Sequence, residues 1–190
     1  MSSNQEDCIF CNKTNCTVIS STKHFFIIRD TAYPVTKHHT LIITNRHVAD
    51  FFELTKKEMT ELDEILKNQK VELIKLDKEI SGFNVGVNIG KDAGQSIMHC
   101  HLHLIPRRKG DVEDPRGGVR GVIPEKQKEE LKKIDKEISA FNVGVNIGKD
   151  AGQSIMHCHL HLIPRRKGDV EDPRGGVRGV IPEKQKYKKK

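Results

Sequence analysis

Regular alternations of apolar and polar residues mark out the elements of this chain. His24 to Arg29 reads as a strand, and Thr40-Leu41-Ile42-Ile43-Thr44 as a second, β-branched and apolar enough to be buried. Between them, Thr31 to Lys37 contains Tyr33-Pro34 and reads as a loop. Thr55-Lys56-Lys57-Glu58 is a capping box. The helix it opens is expected to run to about Ile80, with Met59, Leu62, Ile65, Leu66, Leu73 and Leu76 on its apolar stripe. Phe83 to Ile89 predicts a third strand, with Phe83, Val85 and Val87 on one face.

Gly90 to Ser96 is a glycine-rich turn. It lacks the Walker pattern, because it feeds a strand rather than a helix. Its backbone N–H groups are placed to form an anion nest, joined by the Ser96 hydroxyl. The strand that follows carries His99, His101 and His103. Side chains alternate along a strand, so the three imidazoles share one face and Cys100, Leu102 and Leu104 pack on the other. A row of imidazoles on a rigid strand suits nucleophilic, acid–base or metal chemistry. The competing reading is a histidine-rich metal tract or a decorated surface strand. The Gly-Gln-Ser lead-in and the apolar reverse face weigh against it. His39 and His47 flank the second strand.

The stretch occurs twice. Residues 69–126 and 127–184 align without a gap at a spacing of 58, differing only at Val71/Glu129, Ile74/Lys132, Leu76/Ile134 and Gly82/Ala140. The second copy carries His157, His159 and His161. Two copies are too few for a solenoid. A tail from Arg107 to Gly121 follows the first triad and reads as a basic, turn-rich loop. Glu125 to Ile138 then reads as a helix, with Leu131, Ile134 and Ile138 at helical spacing. Glu129 and Lys132 make it more polar than its counterpart, so the first copy is expected to dock on the N-terminal half. The second copy lacks the first two strands. It is left to hang exposed, to displace its twin, or to pair through a sheet edge with another chain.

With one copy removed, about 130 residues remain, a common single-domain size. No run of about 18 apolar residues is present, which argues against a transmembrane helix. The polar N-terminus does not read as a signal peptide. The five cysteines are odd in number, and Cys158 duplicates Cys100. That pattern argues against a disulfide framework and for a reduced, cytoplasmic setting. The net charge of +7 admits nucleotide polyphosphates or nucleic acid as partners. The arginines 107, 108, 116 and 120 lack interleaved aromatics for base stacking, so nucleic acid ranks low. Cys8-Ile9-Phe10-Cys11 is a C-x-x-C knuckle. No thioredoxin-like pattern surrounds it, which favours zinc, with two further ligands from the downstream histidines.

His99-Cys100-His101-Leu102-His103-Leu104-Ile105, with Asn88, Gly94, Gln95 and Ser96 before it and with His39 and Arg46-His47 around the second strand, resembles the histidine triad (HIT) family. The resemblance covers about residues 8–128, and the tail through Lys128 is similar to a zinc-containing bacterial branch described as dinucleoside-polyphosphate hydrolases. It implies an α+β fold, an antiparallel sheet with one long helix, commonly in a homodimer whose sheet is continuous across the interface. Residues 1–128 are then one HIT domain, and 129–190 a duplicated partial segment. The implied chemistry is attack on the α-phosphate of a nucleotide conjugate by His101, through a nucleotidyl-histidine that water hydrolyses. His103 binds the phosphate and assists the leaving group, with His159 and His161 as duplicate candidates. The implied nucleotide-binding residues are Asp30, His39, Asn88, Gly94, Gln95 and Ser96. Cys8, Cys11, His47 and His99 are the implied ligands of a structural zinc. Thr31 stands where the family usually has an acidic ribose-binding residue, with Asp30 one place earlier. A second function class is a nucleotide-binding or scaffold protein with little catalysis. The intact His101, His103 and Ser96 favour the enzyme, and no membrane partner is expected.

Overall fold

The computed structural model describes residues 8–13, 16–122 and 137–185. Its elements are β1 (Val18–Ser21), β2 (Phe25–Arg29), β3 (Thr40–Thr44), α1 (Lys56–Leu76), β4 (Ile80–Ile89), β5 (His101–Arg108), β6 (Ile138–Ile147) and β7 (His161–Arg166). The strands form one antiparallel sheet in the order β1-β2-β3-β5-β4-β6-β7. With the one α-helix of the described residues, this is the expected α+β architecture.

The capping box forms as the sequence predicts. Thr55 Oγ1 accepts from the Glu58 N–H, and Glu58 Oε2 accepts from the Thr55 N–H at 2.7 Å. Arg46 Nε donates to the same carboxylate at 2.7 Å and ties the helix start to the end of β3. Leu62, Ile65 and Leu73 of α1 lie on a core built from Phe25, Ile27, Ile42, Phe83, Val85, Val87, Cys100, Leu102 and Leu104. Each such side chain contributes about 1.5–3 kcal/mol on burial. Cys100, Leu102 and Leu104 thus occupy the face that strand alternation assigns them.

Several expectations are corrected. The helix stops at Leu76, not near Ile80. Asp77 leaves helical dihedrals and takes Arg108 on its carboxylate at 2.8 Å, so that Ile80 can enter the sheet opposite Arg108. Met59 and Leu76 sit at the margins of the stripe and are exposed. β1 was not legible, because its four residues are all exposed and carry no core pattern. Arg107 and Arg108 are not loop but the end of β5. Arg107 is fully buried, held by Asp111 through Nε and Nη2 (both 2.8 Å) and by Asn84 Oδ1 at 2.7 Å. A buried guanidinium requires such saturation. Ile138, expected to end a helix, begins β6; the rest of that stretch, 125–136, lies outside the described residues.

β5, from the first repeat, pairs with β3, so the first repeat docks on the N-terminal half. The second repeat follows none of the three routes named for it. It pairs through a sheet edge, but within its own chain, as β6 against β4. The register is self-complementary. Gly86 faces Gly144, its own counterpart 58 residues on, and Val85 and Val87 face Val145 and Val143. Such a register is that of a local two-fold axis between two like strands. The contacts repeat on both sides. A Cβ at Gly94 would strike the Pro173 carbonyl, and one at Gly152 the Pro115 carbonyl. Both glycines also have positive φ, 85° and 82°. With β5 and β6 on its two sides, β4 has no open edge.

Candidate functional site

The knuckle brings Cys8 and Cys11 against His47 and His99. One donor atom from each lies within 4.8 Å of all the others. Cys8 Sγ and Cys11 Sγ stand 3.4 and 3.5 Å from His99 Nδ1, and Cys11 Sγ is 3.2 Å from His47 Nδ1. Four donors at about 2.0–2.3 Å from a central tetrahedral ion are separated by about these distances. His99 Nε2 lies 2.8 Å from the Thr44 carbonyl, which fixes its proton there and turns the Nδ1 lone pair to the sulfurs. Burial holds His99 down to about 4 and pushes the Cys11 thiol up to about 11. His99 is therefore neutral, as a ligand must be. Cys11 needs a cation beside it to ionise near neutral pH.

Between the cysteines, Phe10 carries the knuckle to the triad. Its ring meets His99 and His101 edge-on, with centroids 5.8 and 5.3 Å apart. His101 Nδ1 lies 2.7 Å from the His99 carbonyl. A carbonyl only accepts, so Nδ1 carries the proton and Nε2 keeps its lone pair. Burial also lowers the His101 pKa, favouring the neutral ring.

A second chain of contacts ends on His103. Asp30 Oδ2 is 3.2 Å from His39 Nδ1, and His39 Nε2 is 3.0 Å from His103 Nδ1. The carboxylate favours the proton on His39 Nδ1 by its charge, although the pair lies outside hydrogen-bond geometry; His39 Nε2 then accepts from His103 Nδ1–H, and the lone pair of His103 falls on Nε2. That atom is buried without a hydrogen-bond partner among the described residues. Burial lowers His39 and drives His103 well below its ordinary range. Asp30 is held down to about 2: burial opposes this, and His39, the Tyr33 N–H and Arg178 outweigh it.

His101 and His103 line a cavity of about 470 Å³, with Phe10, Asp30, Tyr33, Asn88, Gly94 and Ser96. Two more wall residues, Gly175 and Arg178, come from the second repeat. Sequence reasoning missed both. Arg178 is 148 residues from Asp30, and the only signal was its equivalence to Arg120 in a tract read as loop.

Of the residues expected at the nucleotide, Asp30, Asn88, Gly94 and Ser96 reach the cavity. His39 stands behind His103. Gln95 does not reach it: its side chain accepts from the Gly90 N–H at 2.8 Å and donates to the Ala49 carbonyl at 3.0 Å, closing the turn. The expected nest is also spent in part, because the Gly94 and Gln95 N–H groups bond to Lys91 and Gly90 carbonyls. Asn88 Oδ1 is engaged by Asn142 and by the Val177 N–H. Within the basic tract, Arg107 is buried, Arg108 pairs with Asp77, and the exposed Arg116 pairs with Asp114.

The second triad keeps the local turn, with His159 Nδ1 2.7 Å from the His157 carbonyl. His157 is exposed, however, and the C-x-x-C knuckle and His39 are on the first triad. The one Cys/His cluster among the described residues belongs to the first repeat.

Comparison with known proteins agrees with this geometry. The model of the HIT domain family matches residues 12–110 and 122–168. An uncharacterised HIT-like protein of Methanocaldococcus jannaschii is 32% identical over 130 residues, covering 66% of this chain and 98% of its own. A bis(5'-adenosyl)-triphosphatase of Dictyostelium discoideum is 31% identical over 108 residues, 56% of this chain and 70% of that one. Among solved structures, a zinc-bound histidine triad family protein from Mycobacterium smegmatis superposes with a TM-score of 0.51 at 28% identity, covering 57% of this chain and 80% of that one. Family model, relatives and cavity agree, and the chain belongs to the HIT domain family.

Proposed function

We propose that this protein hydrolyses or transfers the nucleotidyl group of a nucleotide conjugate, of the dinucleoside polyphosphate kind, at the first triad. The observation that carries this is the His101 tautomer. The bond from Nδ1 to the His99 carbonyl leaves the Nε2 lone pair on a neutral, buried imidazole that lines the cavity. Such a ring is a competent nucleophile. Nε2 attacks the α-phosphorus, a P–N bond forms, and the P–O or P–N bond to the leaving group breaks. The leaving group takes a proton as it departs. Water then attacks the same phosphorus, His101 is released, and a nucleoside monophosphate is the product. Splitting one displacement into two eases each. His103 binds the phosphate and assists the leaving group, supported by His39 and Asp30; Ser96 and Gly94 bound the phosphate side.

Supporting the substrate class is the named activity of the Dictyostelium relative, a bis(5'-adenosyl)-triphosphatase. The donor set Cys8, Cys11, His47 and His99 fits a structural zinc, which would fix the knuckle and, through Phe10, the nucleophile strand. The reading treats residues 1–128 as the working HIT domain. A homodimer that continues the sheet would have to use β1 or β7, since β4 is closed on both sides. The test is diadenosine tetraphosphate hydrolysis by His101→Ala and His159→Ala beside the unaltered chain. The expected result is loss, by at least about a thousandfold, in the first and little change in the second. The reverse pattern moves the site to the second repeat. No hydrolysis by the unaltered chain leaves a nucleotide-binding protein.

A further inference from the structure

The second repeat lies against the first triad rather than beside it. Its segment 175–178 closes one side of the cavity, and Arg178 is its charged member, only 6% exposed. Nη1 of Arg178 stands 3.1 Å from Asp30 Oδ2, and Nη2 donates to the Tyr33 carbonyl at 2.6 Å. Backbone carbonyls of Lys184 and Gln185 hold the same guanidinium from behind, both at 3.3 Å. Asp30 Oδ2 is the oxygen that also faces His39 Nδ1 at 3.2 Å. His39 in turn meets His103 at 3.0 Å. The line Arg178–Asp30–His39–His103 therefore runs from one repeat into the other through contacts of 3.1, 3.2 and 3.0 Å, the Asp30–His39 step being electrostatic rather than a formed hydrogen bond.

We propose that the second repeat is a working part of the first site: Arg178 is a positioning residue that clamps Asp30 and, through Asp30 and His39, orients His103, so that one chain holds one complete site without a second copy. A bare carboxylate beside an imidazole has several rotamers and can leave the ring's proton on either nitrogen. A fixed guanidinium on the same oxygen removes that freedom, because a fork of N–H donors holds a carboxylate in plane. The carboxylate then orients the His39 ring, and His39 sets which nitrogen of His103 carries the proton. In effect β6, β7 and the segment after them stand where a partner subunit would. The self-complementary β4–β6 register and the mirrored Asn84–Asn146 and Asn88–Asn142 contacts are what such a stand-in requires. The connection is covalent, so the wall is present at any protein concentration, whereas a partner's would be lost on dilution.

The catalytic part of this inference rests on the proposed hydrolysis, but the relay itself is read independently of activity. The experiment uses the full chain as unaltered protein, Arg178→Ala and Arg178→Lys. Imidazole ¹⁵N signals of His39 and His103 report the tautomers, and steady-state hydrolysis of diadenosine tetraphosphate reports catalysis. Sedimentation at nanomolar to micromolar concentration reports the active species. Expected are altered His103 signals in Arg178→Ala, a kcat at least tenfold lower with KM within about threefold, and partial recovery in Arg178→Lys. The unaltered protein is expected to keep constant specific activity as a 21.6 kDa species on dilution. Unchanged His103 signals or an unchanged kcat in Arg178→Ala overturns the proposal. So does a loss in kcat and KM together that Arg178→Lys leaves unrepaired, or activity that vanishes on dilution. If the unaltered chain does not hydrolyse the substrate, the functional reading fails, and the ¹⁵N signals alone decide the relay.

Discussion

Asn88 Oδ1 accepts a hydrogen bond from Asn142 Nδ2 at 2.7 Å, and the two residues face each other across the β4–β6 join. Its mirror is Asn84 Nδ2 donating to Asn146 Oδ1, also at 2.7 Å. Behind each pair sits a buried arginine: Arg165 on Asn142 Oδ1 and Arg107 on Asn84 Oδ1, both at 2.7 Å. Asn142→Ala removes three partners at once, those of Asn88, of Arg165 and of the Ala93 carbonyl. Leaving a buried polar group unpaired costs about 1–3 kcal/mol. The thermal midpoint should fall accordingly. A double-mutant cycle with Asn88→Ala should return a coupling energy above about 0.5 kcal/mol. A coupling of zero would mean that the repeats are not joined at this pair.

Glu58 gives the fold a pH dependence. Arg46 beside it, then the Thr55 N–H and hydroxyl, hold its carboxyl down to about 2 against the desolvation that opposes them. The ordinary value is 4.5. A depressed carboxylate stabilises the fold above its unfolded pKa, and that contribution is lost as pH falls through the folded one. Glu58→Gln should therefore be less stable by about 1–2 kcal/mol at pH 7, discounted because Arg46 is partly exposed. The gap to the unaltered protein should narrow below about pH 4.5 and be nearly closed by pH 2. Melting curves across that range check it; a constant gap would assign the effect to shape rather than charge.

Metal stoichiometry separates the two triads. Cys8, Cys11, His47 and His99 form a four-donor cluster, whereas His157 is exposed. One zinc per chain is expected, lost in Cys11→Ser and retained in His157→Ala. An ion present at a thousandfold its Kd adds about 4 kcal/mol of stability, so chelation should lower the melting temperature of the unaltered protein and leave Cys11→Ser unmoved. Metal analysis after dialysis reads the count, and two ions per chain would contradict this placement.

Strands β2 to β5, the capping box and the face assignment of Cys100, Leu102 and Leu104 were largely legible in the sequence because period and propensity are local properties. So was the Cys8–Cys11–His47–His99 grouping, through a recognised pattern of ligands. The end of α1 was not, since Ile80 continues the helical stripe and only its pairing with Arg108 makes it strand. Gln95 was grouped with the nucleotide-binding residues by the resemblance, which does not reveal that its amide spans Gly90 and Ala49. The fate of the second repeat was also out of reach. Its edge pairs with its own counterpart, and two nearly identical strings carry little mark of which faces which. Arg178 reached the site by that same pairing.

Leu160 and Leu162 show what the second repeat lacks. Their counterparts Leu102 and Leu104 are 4% and 2% exposed in the core that α1 covers. In the second repeat the same side chains are 70% and 57% exposed, with Ile155 and Met156 nearby in sequence and also exposed. Among the described residues β7 is the last strand of the sheet, and its outer hydrogen-bonding edge runs beside this apolar patch. An edge of that kind templates association between chains. Replacing Leu160 and Leu162 together by Thr keeps β propensity and removes the apolar surface. The double variant should stay soluble at concentrations several-fold higher and scatter less light on storage. Its melting temperature should stay within a few degrees of the unaltered protein, because little burial is lost. Diadenosine tetraphosphate hydrolysis should be unchanged within about twofold, since neither side chain lines the cavity. Scattering that persists in the double variant would move the sticky surface away from β7, with β1, whose Val18 and Ile19 are exposed on the opposite edge, as the next strand to test.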